Sequence, residues 1–289
     1  MKVVTFLTGG EVQVGMLDPS GDTVAPFALP PEEAARGVVA LIGRPALPPL
    51  GEPVPIGQVS LLAPVPRPAR NIFCVGKNYY AHALEFAGSG FDSSAAKSDI
   101  PTDPIIFSKV PESVTGPGAA IEIDPGVSTA IDYEAELAVI VGTGGRGITR
   151  AQAMDHVWGY TIINDVTARD LQGRHSQWLL AKSLDTFCPM GPCAVTADDI
   201  DLSQIAVRCF VNGELRQNAQ VADLIFDIPT LIETISAGIT LMPGDIIATG
   251  TPAGVGIGFT PPRYLAGGES VRVEIDGIGA LENPVRVRA

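Results

Sequence analysis

Between residues 45 and 68 the chain carries eight prolines, from Pro45 and Pro48 through to Pro66 and Pro68. Proline has no backbone N–H and fixes φ at about −65°, so so dense a run can be neither a helix nor a central strand. It reads as an extended linker with edge segments, and it divides the chain. Ahead of it, Val12, Val14 and Met16 recur at period two, with turn breaks at Gly9-Gly10 and Pro19-Ser20-Gly21, which predicts short antiparallel strands. A helix is predicted over 31–42, where Glu32 and Glu33 fall at the positive end of the helix dipole. Residues 1–68 are thus expected to form a small N-terminal α+β domain with its linker, and 69–289 the main domain.

Beyond the linker, strands dominate. The segments IDYEAELAVIV, VWGYTIIND, IAVRCFVNGEL and SVRVEIDGIGALENPVRV all read as strands or hairpins, with turns at Asn212-Gly213 and Asp276-Gly277. Helices are predicted at YYAHALEF, at RAQAMDHV after Thr149, and within DLIFDIPTLIETISAG. The fold class is therefore mostly β with a few short helices. With 46% hydrophobic and 18% charged residues the chain is globular. No apolar run approaches the roughly 18 residues of a membrane span, and the N-terminal apolar stretch is too short for a signal peptide. A cytoplasmic location without membrane partners is expected.

Acidic residues outnumber basic ones 32 to 19, a net charge of −13. Such a surface repels phosphate backbones, which argues against nucleic acid. An anionic substrate would need a metal ion or a few focused cations. The four cysteines form no C-x-x-C pair and no evident disulfide framework, and three histidines support a His/Cys zinc site poorly.

Two constellations carry chemistry. In IDYEAELAVIV the strand period puts Asp132, Glu134 and Glu136 on one face with no cation among them. Either a hard divalent cation balances them or the strand is a solvated edge. Asp165 ends the apolar strand WGYTIIND, where an unpaired carboxylate is costly, and could complete a three-carboxylate site suited to Mg²⁺ or Mn²⁺. His82 and Glu85 are spaced i, i+3 in YYAHALEF, which on a helix pairs an imidazole with an orienting carboxylate. That is a base for activating water, or an ordinary surface pair. Lys182, after the apolar run WLLA, is either aimed at an anion or snorkels to solvent. Arg169 and Gln172 follow Asp165 closely enough to reach the same place. Gly88, Gly90 and the polar stretch up to Asp103 suggest a mobile, lid-like connection. Gly142, Gly144 and Gly147 match a dinucleotide fingerprint on paper, but no β-α-β alternation follows, and a plain turn is the better reading. The cluster TGTPAGVGIG (249–258) reads as a loop whose backbone can approach a ligand closely.

Six blocks in order, GKNYYAHALEF, PIIFSKVPESVTGPG, DYEAELAVIVG, NDVTARDLQ, AKSLDTFCPMGP and TLMPGDIIATGTPAGVG, resemble the fumarylacetoacetate hydrolase family from about Asn71 to the C-terminus. The resemblance implies a mixed β-sandwich rolled into an incomplete barrel, usually a homodimer. It implies a divalent metal, Mg²⁺ or Mn²⁺, on Glu134, Glu136 and Asp165, a catalytic His82–Glu85 dyad on a lid helix, and Lys182 as the family lysine. Gln172, Lys109, Arg169 and Thr251 fall at substrate-contact positions. Lys77 and Tyr80, at open positions of the G-x-N-Y-x-x-H block, are not the residues expected there, and residues 88–103 are distinctive. The block LQGRHSQWLLAKSLDTFCPMGP looks closest to members acting on acylpyruvates and diketo sugar acids. The implied activity is metal-dependent hydrolysis of the C3–C4 bond of a 2,4-dioxo acid, giving pyruvate and a carboxylic acid. Oxaloacetate decarboxylation, or oxo-acid isomerisation or hydration, on the same metal site is the alternative. A nicotinamide-dependent reductase or a non-catalytic metal-binding protein is more remote.

Overall fold

The computed structural model describes residues 1–88 and 99–288. Its centre is the strand Ala135–Val141, flanked antiparallel by Val157–Asn164 on one side and Ile246–Ala248 on the other. Beyond Ile246–Ala248 the sheet continues through a parallel step to Ile72–Gly76 and then to Ile105–Lys109. On the other flank it runs through Cys188–Thr196 to Lys2–Thr8, and from there through Glu11–Leu17 and Thr23–Pro26 to Val54–Pro55 at the edge. A second sheet of five strands, in the order Glu214–Gln220, Ala206–Val211, Ser270–Ile275, Gly279–Val287 and Ile121–Ile123, completes the sandwich.

The central strand is apolar on both faces because both faces are covered. Ala135, Leu137 and Val139 enter one core, which Val207, Cys209, Val271, Val273 and Leu281 of the second sheet share. Ala138 and Ile140 enter another, closed by Val3, Val14, Phe27, Val38 and Leu41 from the first forty-odd residues. The mostly β, α+β architecture expected from the sequence is what the chain adopts. Asn212 (φ 50°) and Gly213 (φ 81°) make the predicted tight hairpin turn between Ala206–Val211 and Glu214–Gln220. All four cysteines are free and buried. Among the described residues no helix is long and apolar enough to cross a membrane.

Two helix expectations are corrected. The helix predicted over 31–42 splits into Pro31–Ala34 and a 3-10 turn, Gly37–Leu41. Gly37 takes φ +63° and lies so close to Pro64 that a Cβ would stand 2.1 Å from its carbonyl oxygen, so a continuous helix cannot pass. The helix after Thr149 shrinks to a 3-10 turn, Ala153–His156. Two short helices with no counterpart in the sequence reading, Arg169–His175 and Leu179–Lys182, follow Asp165. The proline-rich segment contributes the edge strand Val54–Pro55 and a strand, Ser60–Leu62, that pairs with Lys2–Thr8. The 142–147 glycines connect two antiparallel neighbours, and Gly145 bridges to Leu241. A dinucleotide fingerprint needs a parallel β-α-β unit, and this is not one.

Candidate active site

The strand pattern is interrupted at Tyr133–Glu134, between Ile131–Asp132 and Ala135–Val141. Neighbouring chain fixes the interruption: the Glu134 N–H donates to Asn164 Oδ1 at 3.0 Å, and the Asp165 N–H to the Glu134 carbonyl at 2.8 Å. Glu134, Glu136 and Asp165 are thereby brought together, one carboxylate oxygen of each lying within 4.8 Å of the others. All three are buried, which disposes of the solvated-edge alternative.

Clustered buried carboxylates repel one another unless cations answer them. Lys182 Nζ lies 2.7 Å from Glu134 Oε2 and 2.8 Å from Asp165 Oδ2. Lys109 Nζ lies 2.6 Å from Asp165 Oδ1 and also donates to the carbonyls of Val166, at 3.2 Å, and Lys182. Arg169 pairs through Nη2 with Glu134 Oε1 at 2.7 Å, and its Nε donates to Asp132 Oδ2 at 2.8 Å. Burial pushes Glu134 up, but Lys182, Arg169 and His82 outweigh it and hold the carboxyl below its ordinary range. Glu136 moves the other way, raised well above 4.5 by burial and then by Asp165 and Glu134. Among the described residues it forms no ion pair; the Gly250 N–H donates to it at 2.9 Å. A set of hard oxygen donors that includes one carboxylate without an ion pair among the described residues fits a divalent cation.

The helix Tyr80–Gly88 brings the predicted pair together: His82 Nδ1 lies 3.2 Å from Glu85 Oε2. The two side chains are one turn apart on the same face, as the i, i+3 spacing requires. His82 is buried and faces the same pocket as Glu134, Arg169, Gln172, Lys182 and Thr251. Arg169 also donates to Gln172 Oε1 at 3.0 Å, and Thr251 accepts from Gln217 Nε2 at 2.7 Å. Lys109, Glu85, Glu136 and Asp165 lie outside that lining. The enclosed Lys109, with no exposed surface, holds Asp165 from behind. The lid-like connection after Gly88 falls, over 89–98, outside the described residues.

The loop 249–258 does more than approach a ligand. Its amides hold three carboxylates: Gly250 that of Glu136, Gly254 that of Glu85 at 3.0 Å, and Gly256 and Ile257 that of Asp132 at 2.6 and 3.0 Å.

Lys77, seen in the sequence only as a departure, lines the pocket, buried and with φ at +55°. Phe86, Phe107 and Trp178 form an aromatic wall there, with Trp178 edge-on to Phe86 at 6.1 Å and to Phe107 at 5.2 Å. The Lys182 ammonium stands 5.0 Å from the centre of the Phe107 ring, which favours a cation. Phe86 follows His82 by one helical turn, a signal legible in HALEF.

Buried carboxylates fit for a divalent ion, paired with buried lysine and arginine side chains and beside a pocket lined by an oriented imidazole, have the chemistry of a metal-dependent enzyme's site. The chain belongs to the fumarylacetoacetate hydrolase family, whose model, described as "Fumarylacetoacetate (FAA) hydrolase C-terminal", matches residues 71–286. It is 50% identical over 231 residues to the oxaloacetate tautomerase YisK of Bacillus subtilis, covering 80% of this chain and 74% of that one. It is 39% identical over 280 residues to the human mitochondrial oxaloacetate tautomerase FAHD2A, covering 96% and 84%. Among solved structures, a fumarylacetoacetate hydrolase from Exiguobacterium antarcticum superposes with a TM-score of 0.85 at 40% identity, covering all of both chains. The six sequence blocks thus identify the family correctly. The leaning toward acylpyruvases is corrected, because these curated relatives carry the name tautomerase.

Proposed function

We propose that this enzyme interconverts the keto and enol forms of oxaloacetate or a closely similar oxo diacid, with Mg²⁺ or Mn²⁺ held by Glu134, Glu136 and Asp165. The observation that carries the reading is one oriented base, His82, sharing a pocket with the cations Lys77, Arg169 and Lys182. The names of the relatives support it. A divalent cation bound to the carboxylates supplies a Lewis acid that lowers the energy of the enolate form. Glu85 keeps the His82 proton on Nδ1 and leaves Nε2 basic. Nε2 takes a proton from C3 and the C–H electron pair becomes the C2–C3 double bond; the imidazolium then gives that proton to the oxygen on C2, which yields the enol and restores the base. Lys182 steadies charge on that oxygen. Lys77 meets the second carboxylate, which an acylpyruvate lacks at that position.

The test follows enol absorbance of oxaloacetate in dilute buffer, with Mg²⁺ and then with EDTA. Metal-dependent acceleration without pyruvate or carbon dioxide supports the reading, and an unchanged rate overturns it. C–C hydrolysis is the second reading, favoured by the fumarylacetoacetate hydrolase likeness. Metal-dependent cleavage of an acylpyruvate to pyruvate would establish it. The homodimer implied by the family is checked by light scattering on the eluting protein.

A further inference from the structure

Gly258 is exposed and its backbone is outside the left-handed region, so neither burial nor φ calls for glycine there. Space does. A Cβ at 258 would stand 1.9 Å from Glu85 Oε1, 2.3 Å from its Cδ and 2.7 Å from its Cγ, and these three nearest atoms all belong to one side chain. Gly256, two residues earlier, is different: its Cβ would meet the backbone carbonyl of Arg263 at 2.3 Å, so that glycine serves the path of the chain. Glu85 is fixed from two other directions, by the Gly254 N–H and by His82 Nδ1.

We propose that Gly258 is a positioning residue for the base: its missing side chain leaves the slot in which Glu85 extends to orient His82. The inference rests on the reading of His82 and Glu85 as the catalytic pair. A glutamate side chain can swing to another rotamer without moving the loop, so a methyl group at 258 displaces the carboxylate rather than the fold. Shortening the side chain at 85 by one methylene vacates the same slot. Residue 258 then has nothing to displace.

The experiment is a double-mutant cycle of Gly258→Ala and Glu85→Asp on the metal-loaded enzyme, reading kcat, KM and Tm. Gly258→Ala is expected to melt close to the parent and to lose about tenfold or more in kcat, with KM changed by less than about twofold. In the Glu85→Asp background the same substitution should cost less than about twofold. No loss in the parent background, or an equal loss in both, overturns the inference. If Gly258→Ala alone fails to fold, recovery of the fold in the double variant supports the slot, and an unfolded double variant overturns it. Glu85→Ala separates the two levels. If it turns over normally, the base reading falls and this inference with it; if it is inactive while the cycle shows no coupling, only the role of Gly258 falls.

Discussion

Glu136 is the residue whose charge depends most on what the solution holds. Its carboxyl is raised well above 4.5, so at intermediate pH the metal-free folded chain keeps a proton that the unfolded chain has released. The stability from this proton is fully present below about pH 4.5 and is lost as the pH rises through the raised value. A bound cation needs the ionised form, so Mg²⁺ should bind more tightly as pH rises and expel a proton. Calorimetry in two buffers of different ionisation enthalpy should differ; equal heats would count against Glu136 as a ligand. Lys109 makes a second prediction at this scale. Lys109→Met strands Asp165 with one cation fewer, and about 3–5 kcal/mol of stability should go, measured by urea unfolding in EDTA. Lys77→Met should raise KM for oxaloacetate about tenfold with kcat nearly intact, while a monoanionic oxo acid is unaffected. Equal effects on both would remove Lys77 from recognition of the second carboxylate.

Among the elements, the 249–258 loop binds the site's parts together. Gly254 takes φ +101°, and a Cβ there would lie 1.9 Å from the Arg216 carbonyl oxygen, a backbone atom that cannot swing aside. Gly254→Ala is therefore expected to cost about 2–4 kcal/mol in chemical denaturation, unlike the substitution at 258. The sequence reveals this loop as glycine-rich but not what its amides hold, because Glu85 and Asp132 are 169 and 124 residues away from their partners Gly254 and Gly256. Where a signal is local, it is legible: period two in 131–140, i, i+3 in the dyad helix, Asn-Gly in the hairpin. The helices Arg169–His175 and Leu179–Lys182 give no such signal. Each is two turns or fewer, too short for a hydrophobic period to repeat. They are fixed by the buried Arg169 and Lys182, whose carboxylate partners Asp132 and Glu134 lie well before them in the chain. Lys77 was visible only as an unexpected letter in a motif, since its place in the pocket depends on the turn at φ +55°.

Taken whole, the molecule draws both ends of the chain into its two cores. Lys2–Thr8 is hydrogen-bonded to Cys188–Thr196, and Val3, Val14 and Val38 cover Cys188, Met190 and Ile163. A fragment of residues 69–289 would expose that apolar surface and an open strand edge, and it is expected to aggregate or to melt far below the full chain. A monodisperse fragment melting with the full chain would show that the cut at residue 68 separates independent units. The cations Lys109, Lys182 and Arg169 surround the carboxylates from within the scaffold, and this bears on how the enzyme can be handled. Charge balance is largely met by the chain itself, so chelation should abolish turnover while leaving the melting curve cooperative. The ion then behaves as a replaceable part, and one preparation could be stripped and recharged with a series of divalent metals to compare their chemistry in a constant frame.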